Sequence, residues 1–498
     1  MRRGLSPIAL MYFGHNVAAQ EFVAVFARRL LRARRAISKV VVGQVDLSER
    51  CLHYSSKGGI WDFFRSRKNL IDAWNHVQKS ALNSKNKDIR AAAVSFSGGF
   101  PGNVEYIGKK LRAGTFNFQA STGIAARKDR SKPKGQGNVR PITVPHLETR
   151  IVQRALLQAL QHPNSCQRTF NLRKLDLVNQ SNIGIGGLAG QELGGVTTAA
   201  KTIMTALDAG FRHYWRTDIK NFFSAIPKTF VKDFVKTAVC SERFSDLFSA
   251  ALDVGLVNEG SLTKQELELF PNPVTGVPQG SSLSSLCGNI CLYQLDHEVS
   301  KKNVTIIRYV DDVIIFARSS TDLKVAKLAY TNGLEALGFT VHQPNENNGK
   351  AAEGVAGDNH VLFVGYEFQP KRMRPKTESF RTLKSKIEQT FKKSEQQLIQ
   401  KRDENNGVFS SLSVPSTVHK VNNTIISWAN SYSITENEFA TVRTLDEKIE
   451  GLYLNYLRKC LRLPPNHSVD LAVFGRPMIA RNIHVLSSQH NGNIAHWR

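Results

Sequence analysis

Three carboxylates are the residues of this chain best placed to do chemistry. Asp311 and Asp312 sit side by side in Tyr309-Val310-Asp311-Asp312, between two apolar runs. Adjacent carboxylates at a tight turn repel each other and lose hydration, which costs stability unless a cation compensates. Taken alone, an Asp-Asp pair reads equally as a solvated turn. Asp218 adds a third acid, in Trp215-Arg216-Thr217-Asp218-Ile219-Lys220-Asn221-Phe222-Phe223. Carboxylates gathered from separate strands are what a pair of hard, oxygen-seeking cations needs. Two such ions roughly 4 Å apart activate an attacking hydroxyl and stabilise a leaving pyrophosphate.

The elements that must position these acids are legible around them. Val304, Ile306 and Ile307 precede the pair, and Val313, Ile314, Ile315 and Phe316 follow it. Both runs are of strand length and rich in β-branched residues, so a hairpin is predicted with the acids at its turn. The segment ending at Asp218 reads as a second strand. A helix is predicted over 148–161, with Ile151, Val152, Ala155, Leu156, Ala159 and Leu160 on one face. Beyond residue 376 the chain turns helical. Phe380, Leu383, Ile387 and Phe391 form one stripe, and Val442, Leu445, Ile449, Leu452 and Tyr456 another.

In this order the motifs resemble bacterial non-LTR reverse transcriptases, the kind found in group II introns, retrons and defence systems. Tyr-x-Asp-Asp after Asp-Ile-Lys-x-Phe-Phe is similar to the palm of that family. Lys109 to Phe118 resembles the start of its fingers. Pro273 to Asn289, containing Gln279-Gly280, resembles the next palm block. Leu334 to Val341 resembles the helix-strand element after the catalytic turn, and Phe363-Val364-Gly365-Tyr366 the hairpin that grips a primer. Ile426 to Tyr432 is similar to a Trp-containing element of intron-encoded thumbs. The chain departs from the family at Gly184 to Gly190, and at Ser284-Ser285, where relatives have Ser-Pro.

The resemblance implies an α+β right-hand polymerase fold, with an antiparallel palm sheet, a helical thumb and an N-terminal, mainly helical extension. The expected layout is an extension over 1–95, fingers and palm over 96–375, thumb over 376–465 and a tail over 466–498. Asp218, Asp311 and Asp312 would be catalytic and, with the Ile219 carbonyl, would hold two Mg²⁺ ions, Mn²⁺ being the alternative. The Gly-rich segment Lys132 to Arg140 would fold over the incoming triphosphate, with Arg140 and one of Lys132 or Lys134 on its phosphates. Phe223 would lie under the sugar and exclude a 2′-hydroxyl. Gln279 would face the nucleotide, and Gly280 would let the backbone approach the base pair. Tyr309, Phe363 and Gly365 would form the catalytic hairpin and primer grip. Lys350 would be the counterpart of the general-acid lysine.

Bulk properties agree with that reading. The chain has 498 residues, with 67 Lys and Arg against 41 Asp and Glu, a formal charge of +26. Such an excess implies a polyanionic partner. The segment around Phe22, Val23, Phe26, Leu30 and Leu31, with five nearby arginines, reads as a basic amphipathic helix that touches RNA, forms an assembly surface or is simply solvated. The six cysteines make no Cys-x-x-Cys pair, which argues for a reducing compartment. No run is long enough to span a bilayer, so a cytoplasmic protein with no membrane partner is expected. Its partners would be an RNA template, DNA product and dNTPs, with room for an RNA-scaffolded homo-oligomer.

The tail carries no endonuclease pattern, and the retron Asn-Ala-x-x-His element is missing. With the unusual extension, this favours a defence-associated enzyme that copies, or extends from, a non-coding RNA. The alternatives are a template-independent or protein-primed nucleotidyltransferase of the same fold, and a maturase-like RNA-binding protein.

Overall fold

The computed structural model describes residues 59–84, 86–127, 139–162, 170–187, 195–239, 241–346, 349–403, 413–432, 439–462 and 464. Lys132 and Lys134, the basic segment around Phe22 to Arg35, Leu188 to Gly190 and the tail over 466–498 lie outside them.

Strands β1 (Thr122–Arg127) and β2 (Val139–Val144) pair as an antiparallel ribbon, with the Gly-rich segment between them. The helix Leu147–Gln161 follows, and its predicted apolar stripe is buried throughout. It packs on the helix Arg67–Leu82; Asn69 donates from its side chain to the Phe64 carbonyl at 2.8 Å and the Ala155 carbonyl at 3.1 Å. Leu70, Trp74 and Val77 therefore belong to the same hydrophobic core as Ile151 and Leu156. Residue 95, expected to end the extension, lies inside the helix Lys87–Gly98.

The central sheet holds β3 (His213–Asp218), β4 (Val304–Tyr309), β5 (Asp312–Ala317) and β6 (Ala352–Val355), in the order β4-β5-β3-β6. All neighbours are antiparallel. The strand β5 reads as a nearly continuous apolar run because both of its faces are covered. Ile306, Val313, Ile315 and Trp215 point into the main core, beside the helices Ser284–Ser300 and Ser320–Ala336. Ile307, Ile314, Phe316 and Tyr214 point the other way, onto the helix Val196–Asp208. A small sheet completes that second face: β7 (Val361–Phe363), β8 (Tyr366–Gln369) and β9 (Arg372–Pro375).

The C-terminal helices Thr377–Asp403, Val414–Ser431 and Phe439–Leu461 have a core of their own. Leu383, Ile387 and Phe391 of the first predicted stripe meet Leu445, Ile449 and Tyr456 of the second there. Val421 and Ile425 fill the space between them. Among the described residues, no helix is long and apolar enough to cross a membrane.

Candidate active site

Strand pairing brings the three acids together. The β3–β5 register sets Asp218 opposite Asp312, and the Ile219 amide donates to the Asp311 carbonyl at 2.9 Å. The turn between β4 and β5 is only two residues long, Val310 and Asp311. Val310 sits at φ +62°, a left-handed conformation that β-branched residues rarely adopt.

The acids open onto one cavity of about 520 Å³, a size suited to a small-molecule ligand. Arg140, Phe223, Gln279 and Tyr309 line it too, as does Lys350. Residues scattered over more than 200 positions of sequence thus share one wall. Lys132 and Lys134 lie outside the described residues. Phe363 does not line the cavity: it is 3% exposed, in the core beneath the small sheet. Gly365 forms the β7–β8 turn with Val364, both at positive φ, and faces the Tyr432 hydroxyl.

Two glycines serve close approaches within the protein itself. A Cβ on Gly280 would lie 2.1 Å from the Thr143 carbonyl oxygen. The Thr143 amide donates to the Gln279 carbonyl at 2.7 Å, so Gln279-Gly280 is stitched to β2 near Arg140. The close approach that Gly280 allows here is to this strand. Likewise, a Cβ on Gly186 would lie 2.2 Å from the Val310 nitrogen. The glycine run that departs from the family pattern therefore packs, at Gly186, against the β4–β5 turn.

Electrostatics mark the acids as strained neighbours. Burial, then the Asp311 and Asp218 carboxylates, push the Asp312 carboxyl up to about 6. Burial and Asp218 also raise Asp311, while Lys350 and Arg140 pull it back. Lys350 ion-pairs with Asp218 and contacts His342 Nε2 at 3.2 Å. His342 Nδ1 in turn meets Glu346 at 2.5 Å, and Lys220 pairs with the same carboxylate at 2.8 Å. Among the described residues, no three His, Cys, Asp or Glu side chains form a closed metal-holding cluster. The acids nonetheless fit a hard cation: the donors are all oxygen, their charge repels, and a lysine now offsets it.

Sequence reading passed over the groups behind this wall. Arg308 and Asp296 are each 1% exposed and paired at 2.7 Å. The signals were a lone arginine within an apolar strand, and Asn289 and Asp296 seven residues apart on one helix face.

Residues 131–344 match the family described as Reverse transcriptase (RNA-dependent DNA polymerase). The chain carries a reverse transcriptase domain, on an α+β right-hand fold of fingers, palm and thumb. Protein YkfC of Escherichia coli (strain K12) is 26% identical over 174 residues, 34% of this chain and 40% of the relative. The chain thus aligns with about two-fifths of that protein's length. Among solved structures, a partial Cas6-RT-Cas1–Cas2 complex is similar at 18% identity and a TM-score of 0.31, over 53% of this chain and 39% of that one. Telomerase from Candida albicans is similar at 12% identity and a TM-score of 0.38, over 77% of this chain and 62% of that one.

Proposed function

We propose that this protein is an RNA-directed DNA polymerase that copies, or extends from, a partner non-coding RNA in antiviral defence. The observation carrying the polymerase reading is the single cavity shared by Asp218, Asp311, Asp312, Arg140, Phe223, Gln279 and Lys350. In this reading the three aspartates and the Ile219 carbonyl would hold two Mg²⁺ or Mn²⁺ ions. When bound, those ions supply activation of the 3′-oxygen and neutralisation of charge developing on the phosphate. Arg140 forks onto the triphosphate from β2, assisted by Lys132 or Lys134. Phe223, held by the hydrogen bond from the Val277 amide to its carbonyl at 2.8 Å, closes the space a 2′-hydroxyl would need. Lys350, ion-paired with Asp218, would serve as the general acid toward the leaving pyrophosphate. Tyr309 and the hairpin of Phe363 and Gly365 align the primer end. Base pairing selects sequence, so the protein recognises its template as a polyanion, in keeping with its charge of +26. The defence role rests on departures from the intron and retron patterns, and the reading sets the protein in the cytoplasm.

The test is sequencing of nucleic acid co-purified with wild type and with an Asp311→Asn, Asp312→Asn double variant. A defined RNA with complementary DNA, the DNA missing from the variant, is expected. Homopolymeric DNA would favour the template-independent nucleotidyltransferase, and RNA without DNA in both samples the maturase-like binder. In primer extension, Phe223→Ala should narrow the preference for dNTPs over rNTPs by about 10- to 100-fold. For the defence role, deleting the flanking non-coding sequence should abolish resistance in a phage plaque assay, and unchanged resistance would overturn it.

A further inference from the structure

Arg308 lies one residue before Tyr309, with Ile306 and Ile307 behind it in β4. Burying a guanidinium at 1% exposure is strongly unfavourable unless it is paired and its donors are satisfied. Its Nε and Nη2 donate to Asp296 Oδ2 at 2.9 and 2.7 Å. The Tyr330 hydroxyl donates to Asp296 Oδ1 at 2.9 Å, which fixes that carboxylate from its far side. An ion pair serving stability alone needs nothing more. Yet Nη1 turns toward the catalytic turn, donating to the Val310 carbonyl at 3.1 Å and to Asn289 Oδ1 at 3.0 Å. Asn289 passes the link on, its amide donating to the Gly186 carbonyl at 3.1 Å. The main chain adds two further ties, from the Arg308 amide to the Ile183 carbonyl at 2.8 Å and from the Ile185 amide to the Arg308 carbonyl at 3.0 Å. The turn so held contains a valine at φ +62°, a strained conformation that surrounding structure must hold in place.

We propose that Arg308 is a positioning residue for catalysis: anchored by Asp296, its guanidinium holds the Val310 carbonyl and so fixes Asp311 beside Asp218. The inference rests on the polymerase reading and deepens it. Arg308 never meets substrate; it acts through the turn.

The test compares Arg308→Lys with Tyr330→Phe. Lysine keeps the charge on Asp296, but one ammonium cannot span Asp296, Asn289 and the Val310 carbonyl together. Phenylalanine removes one hydrogen bond from the same buried network without touching the turn. Both should lower the melting temperature. In templated primer extension, Arg308→Lys should lower kcat by about 10- to 100-fold, as loss of a partner behind a metal ligand does, with KM for dNTP little changed. Tyr330→Phe, which leaves both Asp296 contacts of Arg308 in place, should lower kcat by no more than about a few-fold. Mn²⁺ titration followed by electron paramagnetic resonance should show weaker binding in Arg308→Lys only. Adding Val310→Gly to Arg308→Lys should restore part of the lost kcat, because glycine adopts φ +62° without strain. Should Arg308→Lys fail to fold, Asn289→Ala, which loosens the same Nη1, takes its place with the same expected split. Equal kcat losses in both variants, tracking melting temperature, would overturn the inference, as would wild-type kcat and Mn²⁺ affinity in Arg308→Lys. A wild-type protein that extends no primer would instead refute the polymerase reading, while the Mn²⁺ titration still reports on the turn.

Discussion

The palm and the thumb bury their polar groups in opposite ways. Behind the palm sheet, Arg308, Asp296, Tyr330 and Asn289 form a buried network whose charges are matched, and it ends on the β4–β5 turn that carries Asp311. The thumb core is apolar and aromatic, with Phe391 stacked on Tyr456 at 4.9 Å. Its hydroxyl cluster is neutral: Ser394 meets Thr417 at 2.7 Å and Tyr456 at 2.8 Å. One charge-bearing group does sit there. Asp446 is 5% exposed, its Oδ1 has no hydrogen-bond partner, and burial, followed by Glu447, pushes its carboxyl up to about 8. A paired buried charge selects one geometry, as an active site requires. A packed helical bundle only has to present a face, so it tolerates a carboxyl that stays protonated instead.

The contrast can be broken at its strongest point first. Asp218→Asn should lower polymerisation by on the order of 10³-fold or more, without lowering the melting temperature, since it removes a repelling carboxylate. Asp296→Ala strands the Arg308 charge in the core and should cost about 3–5 kcal/mol in denaturant unfolding. Gly186→Ala drives a methyl group to within 2.2 Å of the Val310 nitrogen; about 1–3 kcal/mol of stability should go, together with most of the activity. The thumb supplies the smallest effect, and of opposite sign. An Asp whose folded pKa is raised to about 8 destabilises the fold progressively as pH rises from near its unfolded value of about 4. Asp446→Asn should therefore melt a few degrees above wild type at pH 8 to 9, and the two curves should converge near pH 4. A gap that widened on acidification would contradict the matched-against-unmatched distinction.

Much of the site was legible because its signals are local. Adjacent acids between β-branched runs specify a hairpin, and Asp-Ile-Lys ends a strand, whatever lies far away. Helix stripes such as Ile151 to Leu160 and Leu383 to Phe391 follow from periodicity alone, so these helices fell where expected. Phe363 shows the limit: its motif places it in a hairpin, but that its ring lies in a core and does not line the cavity was decided by the packing of the small sheet.

The amino-acid sequence by itself determined the acids, their strands, the order of the motifs and the strong positive charge. Each depends on residue type and near-neighbour spacing. Only the tertiary structure decided which long-range partners those residues meet. Strand register set Asp218 opposite Asp312. Close backbone packing set the surroundings of Gly186, against the Val310 nitrogen, and of Gly280, against the Thr143 carbonyl. Arg308 became the support of the turn because three separate segments converge on it once water is excluded. Burial is a property of the assembled core, and in that core an arginine must find every one of its partners.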